Sequence, residues 1–129
     1  MAALSPPRVL IVEDDAAGLQ LVWLTLARAG YALDAADSAG GALALARGTG
    51  YAAILIDLAL GDLDGAVLAT QLRADPAVAA APLVDMSAYA LPEIESRARQ
   101  AGFVRHLTKP LDFSALPGVV REVMAAGSA

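Results

Sequence analysis

At 129 residues, 57% of them hydrophobic, the chain is sized for one domain around one sizeable core. A net charge of −5 argues against general nucleic-acid binding, which needs a basic footprint, and the absence of cysteine excludes a disulfide framework, thiolate chemistry and a zinc finger. The longest uncharged stretches, such as 16–27, fall short of the roughly 20 apolar residues that span a bilayer. The opening MAALSPPR lacks the basic end and apolar block of a signal peptide, so a cytoplasmic protein without membrane contact is expected.

Five short apolar runs alternate with helical patterns. The first, Arg8–Val12, is continuous and reads as a strand covered on both faces. Leu19, Val22, Trp23 and Leu26 then fall at i, i+3, i+4 and i+7, the stripe of a helix ending at Gly30. The run Ala32–Ala36 carries Asp34 and suits an edge strand; Ser38 opens an alanine–leucine helix ending near Gly48. Ala52–Ile56 is a third, continuous strand, followed by a helix from Gly65 to Ala74 that stops before Pro76. Leu83–Met86 is the fourth strand, and Pro92 suits the first turn of a helix closing at Gly102. Phe103–Leu107 is the fifth. Phe113, Leu116, Val119, Val120 and Val123 mark a last helix whose start is delayed or distorted by Pro117 and Gly118.

Such alternation predicts an α/β fold with an open parallel sheet. The flavodoxin-like order 2-1-3-4-5 is the common one for five strands, with helices on both faces and the reactive crevice at the carboxyl ends of strands 1 and 3. The polar residues fall there. Strand 1 runs into Glu13, Asp14 and Asp15; strand 3 ends in Asp57, strand 4 in Ser87, and strand 5 in Thr108 and Lys109. An acidic trio after a strand can also be a helix cap with dipole-favoured acids. If Glu13, Asp14 and Asp57 share one crevice, their mutual repulsion requires a proton or a cation. All-oxygen donors favour a hard ion such as Mg²⁺. Lys109, the single lysine beside eight arginines, adds a compact ammonium on the opposite flank.

VLIVEDD, ILIDLALGDLDG, PLVDMSA and HLTKP, in this order, resemble the motifs of response-regulator receiver domains, the chemotaxis-regulator type. The resemblance covers about Arg8 to Met124, so the whole chain, 1–129, is expected to be one such domain with its core at about 8–124. It implies that Asp57 is the phosphoacceptor, that Asp14 touches Mg²⁺ directly and Glu13 through water, and that the Ala59 carbonyl completes the protein ligands. Ser87 and the amide of Ala88 would turn toward the phosphoryl group, and Lys109 would pair with it. The resemblance also implies a cis peptide before Pro110. The partners implied are a histidine kinase or histidine phosphotransfer domain and a protein that reads the output, with no direct nucleic-acid contact. Such a protein catalyses its own aspartyl phosphorylation and dephosphorylation without being a conventional enzyme. SAYALPE and AGFVRHLTKPLD are most similar to receivers attached to hybrid histidine kinases.

Four positions depart from the family pattern. Gly61 stands where proline is commonest, which implies a more mobile loop after Asp57. His106 replaces the tyrosine or phenylalanine of the switch position, Asp85 lies in a strand position that is normally apolar, and Phe103 replaces an alanine. Asp85 and Ser87 share a face of strand 4, and the switch residue lies on that side of strand 5. Asp85 either pairs with His106 or takes a backbone donor or water, leaving His106 as a small aromatic filler. A pair would make switching pH-sensitive. Output is expected on the face of helix 4, strand 5 and helix 5, where Arg97, Arg99 and Arg105 predict local positive charge and a salt-sensitive partner.

Three rival readings remain. An aspartate-nucleophile phosphatase would carry a second acid two residues after Asp57, where Ala59 stands. A flavin-binding module is opposed by the acidic loop after strand 1. A phosphorylation-independent pseudo-receiver would act only as a docking or dimerisation module.

Overall fold

The computed structural model describes residues 6–127. Five parallel strands, β1 (Arg8–Val12), β2 (Ala32–Ala36), β3 (Ala53–Asp57), β4 (Leu83–Ser87) and β5 (Phe103–Thr108), form one sheet in the order β2-β1-β3-β4-β5. Five helices connect and follow them: α1 (Ala16–Arg28), α2 (Ala39–Ala46), α3 (Gly65–Arg73), α4 (Pro92–Ala101) and α5 (Leu116–Gly127). This is the flavodoxin-like architecture expected from the alternation.

Period-two alternation divides the central strands between two cores. Leu10, Val12, Ile54 and Ile56 point to one face and pack against α2, α3 and Ala98 of α4. Val9, Ile11, Leu55, Val84 and Met86 point to the other, against Val22 and Leu26 of α1 and Leu116, Val120 and Val123 of α5. β1, β3 and β4 are buried on both faces, which is why they read as continuous apolar runs. Asp34 on the edge strand is held by Arg8 (3.1 Å) and the Tyr51 hydroxyl (2.9 Å).

Trp23 and Phe113 differ in detail from expectation. Trp23 belongs to the periodic stripe of α1 yet stays exposed, because the buried arc is only wide enough for Val22 and Leu26, with Leu19 at its margin. α5 starts late, as Pro117 implied: Asp112 accepts the N–H groups of Ser114 (3.0 Å) and Ala115 (3.3 Å), and Phe113 lies in the turn before the helix. Pro117 then falls in the first turn, where its missing N–H costs nothing.

Gly65, the first residue of α3, lets that helix approach the end of β3. A Cβ there would lie 2.6 Å from the Asp57 carbonyl oxygen and 2.8 Å from Leu58 Cα, both backbone atoms. Helix propensity alone would favour alanine by up to about 1 kcal/mol. We expect the clash to win, so that Gly65→Ala lowers stability by about 1–3 kcal/mol in denaturant titration. A more stable Gly65→Ala protein would contradict this packing.

Candidate functional site

The carboxyl ends of β1 and β3 are adjacent, and the acidic residues divide their work. Asp15 caps α1, its side chain accepting from the Gly18 N–H at 2.8 Å. The two acids before it are thereby left to the crevice. Glu13 is buried, Asp14 is exposed, and each offers an oxygen within 4.8 Å of the other and of one from Asp57. From β5, Lys109 reaches over both buried carboxylates: Nζ donates to Glu13 Oε1 at 2.5 Å and to Asp57 Oδ2 at 3.0 Å. The other oxygen of Asp57, Oδ1, accepts the Ala59 N–H at 2.9 Å.

These contacts set the protonation of the crevice. Burial, then the neighbouring Asp57, push the Glu13 carboxyl up to about 7, with Lys109 opposing. Burial also acts to raise Asp57, but hydrogen bonds from Glu13, the Ala59 amide and Lys109 outweigh it and hold this carboxyl below the usual range. Lys109 is partly desolvated, yet its two carboxylate partners keep it above its ordinary value. Of the two buried carboxyls, Asp57 is the one shifted toward its ionised form. The donor set is wholly oxygen, and exposed Asp14 leaves room for waters, which suits a small hard dication. Ala59 lies exposed in the loop beside it, bridged to Asp64 across the turn.

The remaining residues flank this group. Ser87 ends β4, its hydroxyl accepting from the Tyr89 N–H at 3.1 Å, and Ala88 follows in the exposed β4–α4 loop. The Ser87 carbonyl accepts the Lys109 N–H at 2.7 Å, and the Lys109–Pro110 peptide is cis, as the motif implied.

The receiver-domain family model, "Response regulator receiver domain", matches residues 9–121. The chain belongs to that family. Like other members it is a signalling module of two-component systems, and no described helix is long and apolar enough to cross a membrane. The receiver is 30% identical over 118 residues to the transcriptional regulatory protein ZraR of Salmonella typhimurium, covering 91% of this chain and 26% of that protein. It thus spans far less than the full length of that relative. A CheY-like receiver domain protein of Methanospirillum hungatei superimposes with a TM-score of 0.89 at 26% identity, over 96% of this chain and 98% of the other. The receiver domain of a sensor histidine kinase of Pseudomonas aeruginosa, whose active-site cleft coordinates a magnesium ion, gives 0.85 at 26% identity, over 93% and 98%.

The two unusual residues of the receiver do meet. His106 Nδ1 is in hydrogen-bond contact with Asp85 Oδ1, and Nε2 lies 3.1 Å from Thr108 Oγ1. A bulge makes this possible. Leu83 pairs with Phe103 but Val84 pairs with Arg105, so Val104 is an extra residue pushed out to 61% exposure. Without it, Arg105 would stand opposite Asp85, and His106 opposite Met86. The shifted register instead places His106 beside Asp85 and Thr108 beside Ser87. Phe103, before the bulge, fills core space against α3 and α4.

The expected positive face is corrected by the structure. Arg97 is bound to Asp64 at 2.8 Å and Arg105 to Glu122 at 3.0 Å, so two of its three arginines are neutralised within the receiver. A loop loosened by Gly61 is also not what the contacts describe: Asp62 accepts the N–H groups of Ala39 (2.9 Å) and Gly40 (3.2 Å), and Asp64 that of Ala66 (2.7 Å). Asp64 directly before a helix was readable as a cap, whereas the partners of Asp62 are remote in the chain.

Asp85 is 1% exposed, and burial raises its carboxyl above the usual range, with His106 acting the other way. A raised native value means that folding binds the proton more tightly. This contribution to stability is full below about pH 4 and is lost as pH rises through the native value. We expect His106→Ala to strand the carboxyl at a cost of about 1–3 kcal/mol, and Asp85→Val with His106→Phe to recover most of it and to flatten that pH slope. Denaturant titrations across pH check both; equal stability of the single and double variants would contradict the pair.

Proposed function

We propose that this receiver takes a phosphoryl group from a partner's phosphohistidine onto Asp57, with Mg²⁺, and signals by moving the β4–α4 loop. The supporting observation is the convergence of Asp57, Glu13 and Asp14 beneath the single lysine ammonium. Phosphoryl transfer requires little covalent chemistry from a protein and much positioning and charge neutralisation. Glu13, Asp14, Asp57 and the Ala59 carbonyl would hold Mg²⁺, whose part is to neutralise charge on the transferring group.

An ionised Asp57 oxygen forms the new bond to phosphorus as the nitrogen–phosphorus bond breaks. The electron pair returns to the donor imidazole, which takes a proton. Lys109 already lies on Asp57 Oδ2, at the place where negative charge increases. The acyl phosphate adds charge and strong acceptor oxygens. Ser87 and the Ala88 amide would turn toward it and draw the start of α4 along. That helix buries only Ala98 fully, so few contacts resist a shift, but Arg97 ties it to Asp64. Asp85 and His106 would form the output side of the switch, on the face of α4, β5 and α5, where a protein partner reads it. One receiver domain with its core at about 8–124 suffices for this reading. A histidine kinase or phosphotransfer domain is the donor it calls for, and cytoplasm the compartment. A docking-only role would not require the full set of site groups.

Asp57→Ala should abolish acid-labile phosphate after incubation with a small-molecule phosphodonor. Asp14→Ala should weaken Mg²⁺ binding at least about tenfold by calorimetry, the scale on which metal sites respond to such losses. Undiminished acid-labile phosphate on Asp57→Ala would overturn the assignment.

A further inference from the structure

The loop between Asp57 and α3 carries the acceptor's neighbours, including Ala59, and has a glycine at its middle. Glycine leaves a chain with more conformations to lose on ordering than any other residue. Nothing in the local geometry demands it here. Gly61 is not among the glycines with positive φ, and a Cβ on it would meet only the Asp14 carboxylate, at 3.4 Å. Before Gly61 the loop is held by backbone, Leu58 through the Met86 carbonyl (2.9 Å) and the Gly65 N–H (3.0 Å) and Ala59 through a bridge to Asp64; beyond Gly61 it is fastened by two acids. Asp64 caps α3 and binds Arg97, which anchors the far end against α3 and α4. Asp62 crosses to a different element: Oδ1 accepts the Ala39 N–H and Oδ2 the Gly40 N–H, the first two amides of α2.

α2 needs that carboxylate. It is eight residues long, begins Ala-Gly-Gly and has no acid of its own in the first turn. Its N-cap, Ser38, satisfies only the Gly41 N–H, at 3.0 Å. Asp62 supplies the anion that the other amides and the helix dipole favour. Those two amide bonds hold its carboxyl below the usual range. The wall it grips is firm, because Ala39, Ala42 and Ala46 are buried in the core against β1.

We propose that Asp62 is a positioning residue for the phosphoacceptor site: by gripping the first turn of α2 it fixes residues 60–62 and, together with the backbone contacts of Leu58 and the Ala59–Asp64 bridge, sets the Ala59 carbonyl, in place of backbone stiffness at Gly61. The inference rests on the receiver reading above. It makes α2, which contributes no group to the crevice, part of the scaffold that holds the site in shape.

The test compares the wild-type chain of 129 residues with Asp62→Ala, Asp62→Asn and the double variant Gly61→Ala/Asp62→Ala. Three quantities are read: Mg²⁺ affinity by calorimetry, amide hydrogen exchange without metal, and phosphorylation by a small-molecule donor at saturating Mg²⁺. In Asp62→Ala, exchange should accelerate at Ala39 and Gly40 and through residues 58–62. Mg²⁺ affinity should fall roughly tenfold, the lower end of what loss of an orienting partner costs a metal site. The maximal phosphorylation rate should fall with little change in the donor concentration giving half-maximal rate. Asp62→Asn, which keeps one acceptor oxygen, should lose less, and Gly61→Ala should restore part of the loss by stiffening the loop.

Unchanged exchange at Ala39, Gly40 and residues 58–62 in Asp62→Ala would overturn the proposal. So would faster exchange confined to α2 with Mg²⁺ affinity unchanged, the mark of a plain helix cap. Wild-type protein that binds Mg²⁺ but takes no phosphoryl group would instead overturn the receiver chemistry, while the metal and exchange measurements still decide the role of Asp62.

Discussion

The site depends on one ammonium group. Two buried carboxylates, Glu13 and Asp57, come from the ends of neighbouring strands, and left together they would repel. Lys109 lies on both, so one side chain from the far edge of the sheet joins β1, β3 and β5 at their carboxyl ends. An arginine fork could not do this in the same way: it matches one carboxylate bidentately, whereas an ammonium can turn its donors to two. The arrangement also divides the acids. Glu13 is pushed toward its neutral form, and Asp57 toward its ionised one.

A second constraint governs the path outward from that site. The bulge at Val104 shifts β5 by one residue against β4, and with it every side chain that follows. Ser87 and Thr108 become neighbours, as do Asp85 and His106, and His106 joins the two pairs through Thr108. A polar ladder therefore runs from the crevice along β4 and β5 toward the α4 side of the sheet. An aromatic switch residue in an apolar setting could leave its place at little electrostatic cost. His106 cannot, because a buried carboxyl would lose its side-chain partner.

Much of this was legible in the sequence because it is local or periodic. The five strands, their order, the residues at their carboxyl ends and the cis peptide before Pro110 follow from apolar runs, chain direction and motif. What escaped depends on register and on distance along the chain. Val104 looks like any other strand residue, and only the pairing of β4 with β5 reveals it as extra. Arg97 and Arg105 read as free charges because Asp64 and Glu122 lie far from them in sequence. Asp62 was hidden for the same reason, its partners being amides more than twenty residues earlier. Trp23 fits the helical stripe perfectly and still lies outside the buried arc, since periodicity gives the direction of a face and not its width.

The central claim is that one crevice at the ends of β1, β3 and β5 receives both a hard cation and a phosphoryl group. Backbone amide chemical shifts, recorded on the free protein, then with Mg²⁺, then with Mg²⁺ and beryllofluoride, test it most directly. Mg²⁺ should move the resonances of residues 13–15 and 57–61. The phosphoryl mimic should then move those of 87–89, 106 and 109, carrying the change along the Ser87–Thr108 and Asp85–His106 ladder. Shifts that leave 13–15 and 57–61 unmoved, or a beryllofluoride response that bypasses Ser87 and Lys109, would contradict it.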